Sequence, residues 1–558
     1  MPLRHDLPFD PAGARHEWWR ETTVYQVYPR SFADSNGDGI GDVRGIIDRL
    51  DYLAWLGVET LWLSPLLEGP EADLDGDSFD RRSLRDEEGT LFDLLELVEA
   101  VHARGMKLVL DMVLDHTPIE HPWFQASRSD RHAPLRDFYI WRPGRARGRP
   151  PTEACASSGV SGWHYDTRTD EWFWASSHPY HPDLNYRNPL LRLAMLDVVR
   201  TWLEHGIDGL RLDLFQKLLA HGRHPSSAPD DPAHRSGAQA FDVADAASFA
   251  RELRAVVDSV SGPPRLLVGE IFGRPAALEH HARADGDGAH LVFLFQALGS
   301  RFSARAVEHV VRDLEHRFPA PSYSPAYVFG QHDRSRVLTR VGRDPSRQKL
   351  LALLQLTTRG VPLIYFGEEI GLSHHDVPLH EGLDPGAARH PRFPEWLVRF
   401  LRARGVLMAR DECRLPMAWD ASPNAGFTAP GVKPWLPLHP ESASTNVAAQ
   451  KDEPDSTLHC YRSLLALRRS QAALRWGCLR FARRPARHVL AYRRVLANED
   501  DVVDVLLNFG THPIEVAIRR AEGRSLFSTA CCGTSAATPR RELGPFEGIV
   551  VYRPASHE

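Results

Sequence analysis

Three carboxylates stand where short apolar runs end: Asp213 in GLRLDLF, Glu270 in LLVGEIF and Asp333 in YVFGQHD. A carboxylate beside a buried run is costly unless a partner or a reaction accounts for it. The structural explanation is an ion pair for each, with Arg211 and Arg336 as candidate partners. The chemical explanation is glycosidic bond cleavage, in which one carboxylate attacks or stabilises the anomeric carbon and another protonates the leaving oxygen. Arg211 favours the ionised form of Asp213, because residues two apart on a strand share a face.

Other chemistries lack their residues. The chain has no G-x-x-x-x-G-K-[ST] loop, no H-E-x-x-H and no G-x-S-x-G elbow, since Ser161 is followed directly by Gly162. The glycines at 37, 39 and 41 lead into Asp42, where a dinucleotide fingerprint needs glycine. His116 and His121 are five apart, unlike zinc ligands. The segment DSNGDGIGD instead places Asp34, Asn36, Asp38 and Asp42 at alternating positions, with glycines that let the backbone wrap a hard cation. Position twelve of that loop is Gly45 and not a bidentate Glu, which excludes an EF-hand and leaves a structural metal or an acidic turn that binds nothing.

Eight apolar runs with polar tails must position these groups: VYQVYPRSF, TLWLSPL, KLVLDMVLDHT, GLRLDLF, RLLVGEIF, HLVFLFQ, AYVFGQHD and PLIYFGEE. Between them lie segments with apolar residues three and four apart, such as DVRGIIDRLDYLAWLG and LRLAMLDVVRTWLEHG. Strands alternating with helices predict an α/β fold, a (β/α)8 TIM barrel whose active groups sit at the C-terminal strand ends. Residues 1–117 and 189–479 are assigned to the barrel, with an insertion at about 371–455 after strand eight. Residues 118–188 read as an inserted subdomain after strand three, and 480–558, rich in alternating stretches such as HVLAYRRVLA, as a C-terminal antiparallel β-domain.

Composition narrows the ligand. Of 558 residues 42% are hydrophobic and 25% charged, as in globular proteins, and 67 Lys plus Arg against 73 Asp plus Glu give a net charge of -6. That balance gathers neither nucleic acid nor anionic membrane and suits a small neutral ligand. The Arg-rich stretch 142–150 reads as a solvated loop. No signal peptide or apolar run of about 18 residues is found. The six cysteines lack zinc spacing and are expected to be free thiols in the cytoplasm, the vicinal Cys531 and Cys532 being an incidental pair near a turn.

Ordered blocks over nearly the whole chain resemble the alpha-amylase family of glycoside hydrolases, in its alpha-glucosidase and oligo-1,6-glucosidase branch. They are WWRETTVYQVYPRSFADSNGDGIGDVRGI, DMVLDHT, HPDLNYRNP, GIDGLRLDL, VGE, QHDRSR and RDECRLPMAWDASPNAGFT. The resemblance implies a retaining double displacement with Asp213 as nucleophile, Glu270 as general acid/base and Asp333 as transition-state stabiliser. It further implies that Asp73, His116, Arg211, His332 and Arg414 hold the glucosyl unit. Residues 34–42 resemble the family's calcium or magnesium loop, with Asp34, Asn36, Asp38, the Ile40 carbonyl and Asp42 as ligands; no organic cofactor is implied.

The chain also departs from that family. Gly76 stands where the branch carries a sugar-stacking Tyr, Asp115 and Gln331 stand where Asn is usual, and Leu214 follows the nucleophile, which leans away from strict 1,4 specificity. The expectation is an exo-acting retaining alpha-glucosidase, a monomer or homodimer, acting on short alpha-glucosides from the non-reducing end. Two alternatives remain: a transglucosylase or glucosyl isomerase acting on sucrose or maltose through the same intermediate, and a sugar- or partner-binding scaffold without turnover.

Overall fold

The computed structural model describes residues 17–66, 88–156, 160–213, 243–270, 288–294, 301–319, 324–379, 382–384, 393–403, 406–483, 485–496, 501–516, 523–533 and 542–554. Asp73, Gly76 and Leu214 lie outside them.

Each of the eight apolar runs contains a strand. These are β1 Val24–Val27, β2 Thr60–Leu63, β3 Lys107–Met112, β4 Gly209–Leu212, β5 Leu266–Glu270, β6 Leu291–Leu294, β7 Ala326–Val328 and β8 Val361–Tyr365. They form a closed barrel in sequential order, with β8 returning to β1. Almost every strand residue is buried, as expected where a parallel sheet is covered on both faces. The helices follow their sequence signals. Pro189–Glu204 starts at Asn188, whose side chain accepts from Leu190 N, has Pro189 in the first turn, and is followed at Gly206 by φ +97°. DVRGIIDRLDYLAWLG, read as one helical segment, is two helices, Val43–Asp48 and Leu50–Leu56, because Arg49 leaves helical geometry at φ -105°, ψ 2°.

Contacts divide the chain into two compact units: Met1–Trp62, Glu99–Lys107 and Phe293–Glu558 in one, Leu63–Val98 and Leu108–Val292 in the other. In the first, β8 pairs in parallel with β1 and β7, and β7 with β6. It also holds a five-stranded antiparallel sheet in the order Cys478–Phe481, Val489–Val495, Asp501–Asn508, Gly548–Pro554, Arg524–Ser528, packed on Val489, Leu506, Ile549 and Val551.

In the second unit β4 lies between β3 and β5. Within 118–188 a three-stranded antiparallel sheet runs Trp141–Arg142, Glu171–Trp174, Trp163–Asp166. Trp163 and Trp174 meet edge to face at 5.3 Å and build its core with Ile140. These buried tryptophans fill space in that core. Among the described residues no helix is long and apolar enough to cross a membrane.

Candidate active site

Each unit carries its own group of candidate side chains. In the second unit, parallel register sets Asp111 of β3 opposite Arg211 of β4. The Arg211 side chain, 1% exposed, donates to Asp111 Oδ1 at 2.6 Å. Its Nη2 also meets Asp213 Oδ1 at 2.9 Å and Glu270 Oε2. Glu270 is the last residue of β5 and is buried; Asp213 follows β4 by one residue and keeps a quarter of its side chain exposed. Two carboxylates on one nitrogen have their nearest oxygens within two hydrogen-bond lengths, about 6 Å. That bound is compatible with the ~5–5.5 Å between the carboxyl groups of retaining glycosidases.

His116, also in this unit, is buried with Nδ1 2.7 Å from Asp115 Oδ1, and its ring stacks on His181 at 4.6 Å. The aspartate that departs from the family pattern thus touches the ring nitrogen of its neighbour.

In the first unit Asp333 lies five residues beyond the end of β7. Arg414 donates through Nη2 to Asp333 Oδ1 at 2.5 Å and through Nε to the His332 carbonyl at 3.0 Å, while Arg410 Nη1 stands 3.8 Å from Asp333 Oδ1. Burial disfavours the Asp333 anion, but the opposite charges of His332, Arg414 and Arg410 outweigh it and hold the carboxyl far below its ordinary value. Arg336, a candidate partner from the sequence, instead donates to the Phe366 carbonyl and lies over the Tyr365 ring. Gln26 Nε2 is 2.6 Å from His332 Nδ1. The other ring nitrogen, Nε2, stands 3.5 Å from Asp333 Oδ2.

The loop 34–42 belongs to this unit too. Asp34 accepts from the amides of Asn36, Gly37 and Gly39, Asp38 from that of Ile40, and Asp42 from Ser35 and Gly45, capping Val43–Asp48. Its oxygen-only donor set suits Ca2+ or Mg2+. Among the described residues no three His, Cys, Asp or Glu side chains are gathered for a metal, so the Asn36 amide and the Ile40 carbonyl would have to complete the ligand set. Gly39, at φ +92°, cannot be replaced freely, since a Cβ would stand 2.3 Å from the Lys433 carbonyl oxygen. Its own carbonyl accepts from Trp435 N at 2.9 Å; Trp435 stacks on Tyr28, and Tyr28 on His332.

Sequence reasoning missed Asp111, Gln26, Arg410 and His181. A charge inside the run LVLDMVLD marked Asp111, and Gln26, His181 and Arg410 lie in the blocks VYQVYPRSF, HPDLNYRNP and RDECRLPMAWDASPNAGFT, where spacing alone gave none of them a role.

The alpha-amylase catalytic-domain family model matches residues 26–477. The oligo-1,6-glucosidase of Parageobacillus thermoglucosidasius is 33% identical over 513 residues, 87% of this chain and 90% of that protein. Among solved structures, an alpha-glucosyl transfer enzyme, XgtA, superposes with a TM-score of 0.82 at 33% identity, covering 96% of this chain and 99% of that one. The trehalulose synthase MutB from Pseudomonas mesoacidophila MX-45 gives 0.86 at 27% identity, with the same coverage. With the barrel and its strand-end carboxylates in place, the chain belongs to the alpha-amylase family of glycoside hydrolases, in its alpha-glucosidase and oligo-1,6-glucosidase branch.

Proposed function

We propose that the protein is an exo-acting retaining alpha-glucosidase that releases glucose from the non-reducing end of short alpha-glucosides. The observation that carries this reading is the single Arg211 nitrogen shared by Asp213 and Glu270. Asp213, the more exposed of the two, is kept ionised and attacks the anomeric carbon, forming a glucosyl ester as the glycosidic C–O bond breaks. Glu270 gives its proton to the leaving oxygen, then takes one from the water that opens the ester. Contact with Arg211 favours the Glu270 anion, so its acid step requires it to leave the guanidinium for the glycosidic oxygen. Asp333, held ionised, stabilises the positive charge that develops on the sugar. His116, Arg211, His332, Arg414 and Asp73 are assigned to holding the glucosyl unit.

A transglucosylase or isomerase is the second reading, favoured by likeness to the transfer enzyme and the trehalulose synthase. It differs only in the acceptor that opens the ester. Maltose, isomaltose, nigerose, kojibiose, sucrose and trehalose, each offered beside an Asp213→Asn control, separate the readings. Free glucose supports hydrolysis, new disaccharides support transfer, and no turnover on any of them supports the scaffold.

The 34–42 loop is proposed to hold one Ca2+ or Mg2+ through Asp34, Asn36, Asp38, the Ile40 carbonyl and Asp42, a structural ion that stiffens the turn behind Trp435. We also propose a cytoplasmic enzyme, supported by six unpaired thiols, acting as a monomer or homodimer, which light scattering on the eluted protein decides.

A further inference from the structure

Cys460 and Cys532 are far apart in sequence and adjacent in the fold. Cys460 is fully buried in the first turn of the helix Thr457–Ser470, and its amide bonds the Ser456 carbonyl at 3.1 Å. Cys532, 3% exposed and at φ +49°, lies in the turn after the strand Arg524–Ser528, a turn closed by Ser528 N donating to the Gly533 carbonyl. That turn brings Cys532 Sγ to the carbonyls of Asp455 and Ser456 at 3.4 and 3.5 Å, against the same helix start. Both cysteines thus meet the Ser456 carbonyl, Cys460 through its amide at 3.1 Å and Cys532 through Sγ at 3.5 Å, and Lys349 Nζ stands at the same turn, 2.5 Å from the Asp455 carbonyl.

The surroundings give the pair unequal reactivity. The neighbouring Cys460 thiol and the Lys349 charge, against the opposing effect of burial, lower the Cys532 thiol below its ordinary value. Burial pushes Cys460 well above its ordinary value. A thiolate next to an ammonium group and a second thiol is the arrangement of a reactive cysteine with its resolving partner.

We propose that Cys460 and Cys532 form a reversible disulfide under hydrogen peroxide, tying the C-terminal sheet to the helix Thr457–Ser470. The Cys532 thiolate attacks the O–O bond; an S–O bond forms, hydroxide leaves, and the sulfur is oxidised by two electrons to the sulfenic acid. Cys460 then gives up its proton and attacks Cys532 Sγ; the S–S bond forms, the S–O bond breaks, and the released hydroxide takes that proton to become water. Thiol or dithiothreitol reduces the bond.

The test is peptide mapping of the folded, full-length protein after peroxide, with free thiols then blocked by N-ethylmaleimide. Trypsin places Cys460 in residues 452–462 and both Cys531 and Cys532 in 525–540. The expected result is one linked pair of these peptides, lost on adding dithiothreitol, retained in Cys531→Ser and lost in Cys532→Ser. Cys460 remaining fully alkylated after peroxide, or Cys531 alone carrying the oxidation, overturns the proposal. The native protein answers the question by itself, so a misfolded variant does not blunt the test.

Discussion

Arg211 concentrates the electrostatics of its unit, because one buried guanidinium faces Asp111, Asp213 and Glu270. Arg211→Met removes the only cation those contacts share and leaves Asp111 and Glu270 buried as anions. It is expected to destabilise the protein by about 3–5 kcal/mol in urea unfolding and to abolish turnover. Arg211→Lys rescues neither fully, since an ammonium cannot present the forked donors. Asp213→Asn should lower kcat on the order of 10⁴-fold with the melting temperature little changed, because Asp213 is partly exposed.

Glu368 gives a pH signature independent of catalysis. Burial raises its carboxyl to about 7, against the Tyr461 hydroxyl that donates to it and the Arg340 charge. A group raised in the folded state favours folding in full below its ordinary value near 4.5 and loses that contribution as pH climbs through about 7. Urea unfolding should therefore show stability falling by a few kcal/mol between those limits, and Glu368→Gln should flatten that slope.

At the scale of elements, the strands were legible because each is an apolar run, and Asp213 and Glu270 were legible because each closes one. Asp333 shares the signal loosely, sitting five residues past its strand. What stayed hidden depends on pairing between distant segments: the β3–β4 register that gives Arg211 its third carboxylate, Gln26 on His332, and Cys460 under Cys532. The break at Arg49 was hidden for a different reason, since the apolar spacing continues through it. The loop 34–42 carries its own prediction. Gly39→Ala should cost about 1–3 kcal/mol, from its φ and the Lys433 carbonyl, and should weaken metal retention. If the loop holds its ion, elemental analysis finds one Ca2+ or Mg2+ per chain and chelation lowers the melting temperature by a few degrees. No bound metal and no shift would reject the assignment.

Over the whole molecule, the charge of -6 and the barrel agree on the ligand class: an uncharged sugar needs no attracting field. Fluorescence anisotropy with duplex DNA at low salt should show no binding, the condition most favourable to any basic patch. The fold class and the family follow from ordered blocks along the chain, whereas linkage preference was tied to Leu214, which lies outside the described residues. The central claim is the covalent double displacement by Asp213 and Glu270. Time-resolved proton NMR of the first glucose released from a cleaved alpha-glucoside tests it most directly: retention predicts alpha-glucose before mutarotation, and beta-glucose appearing first would contradict the mechanism.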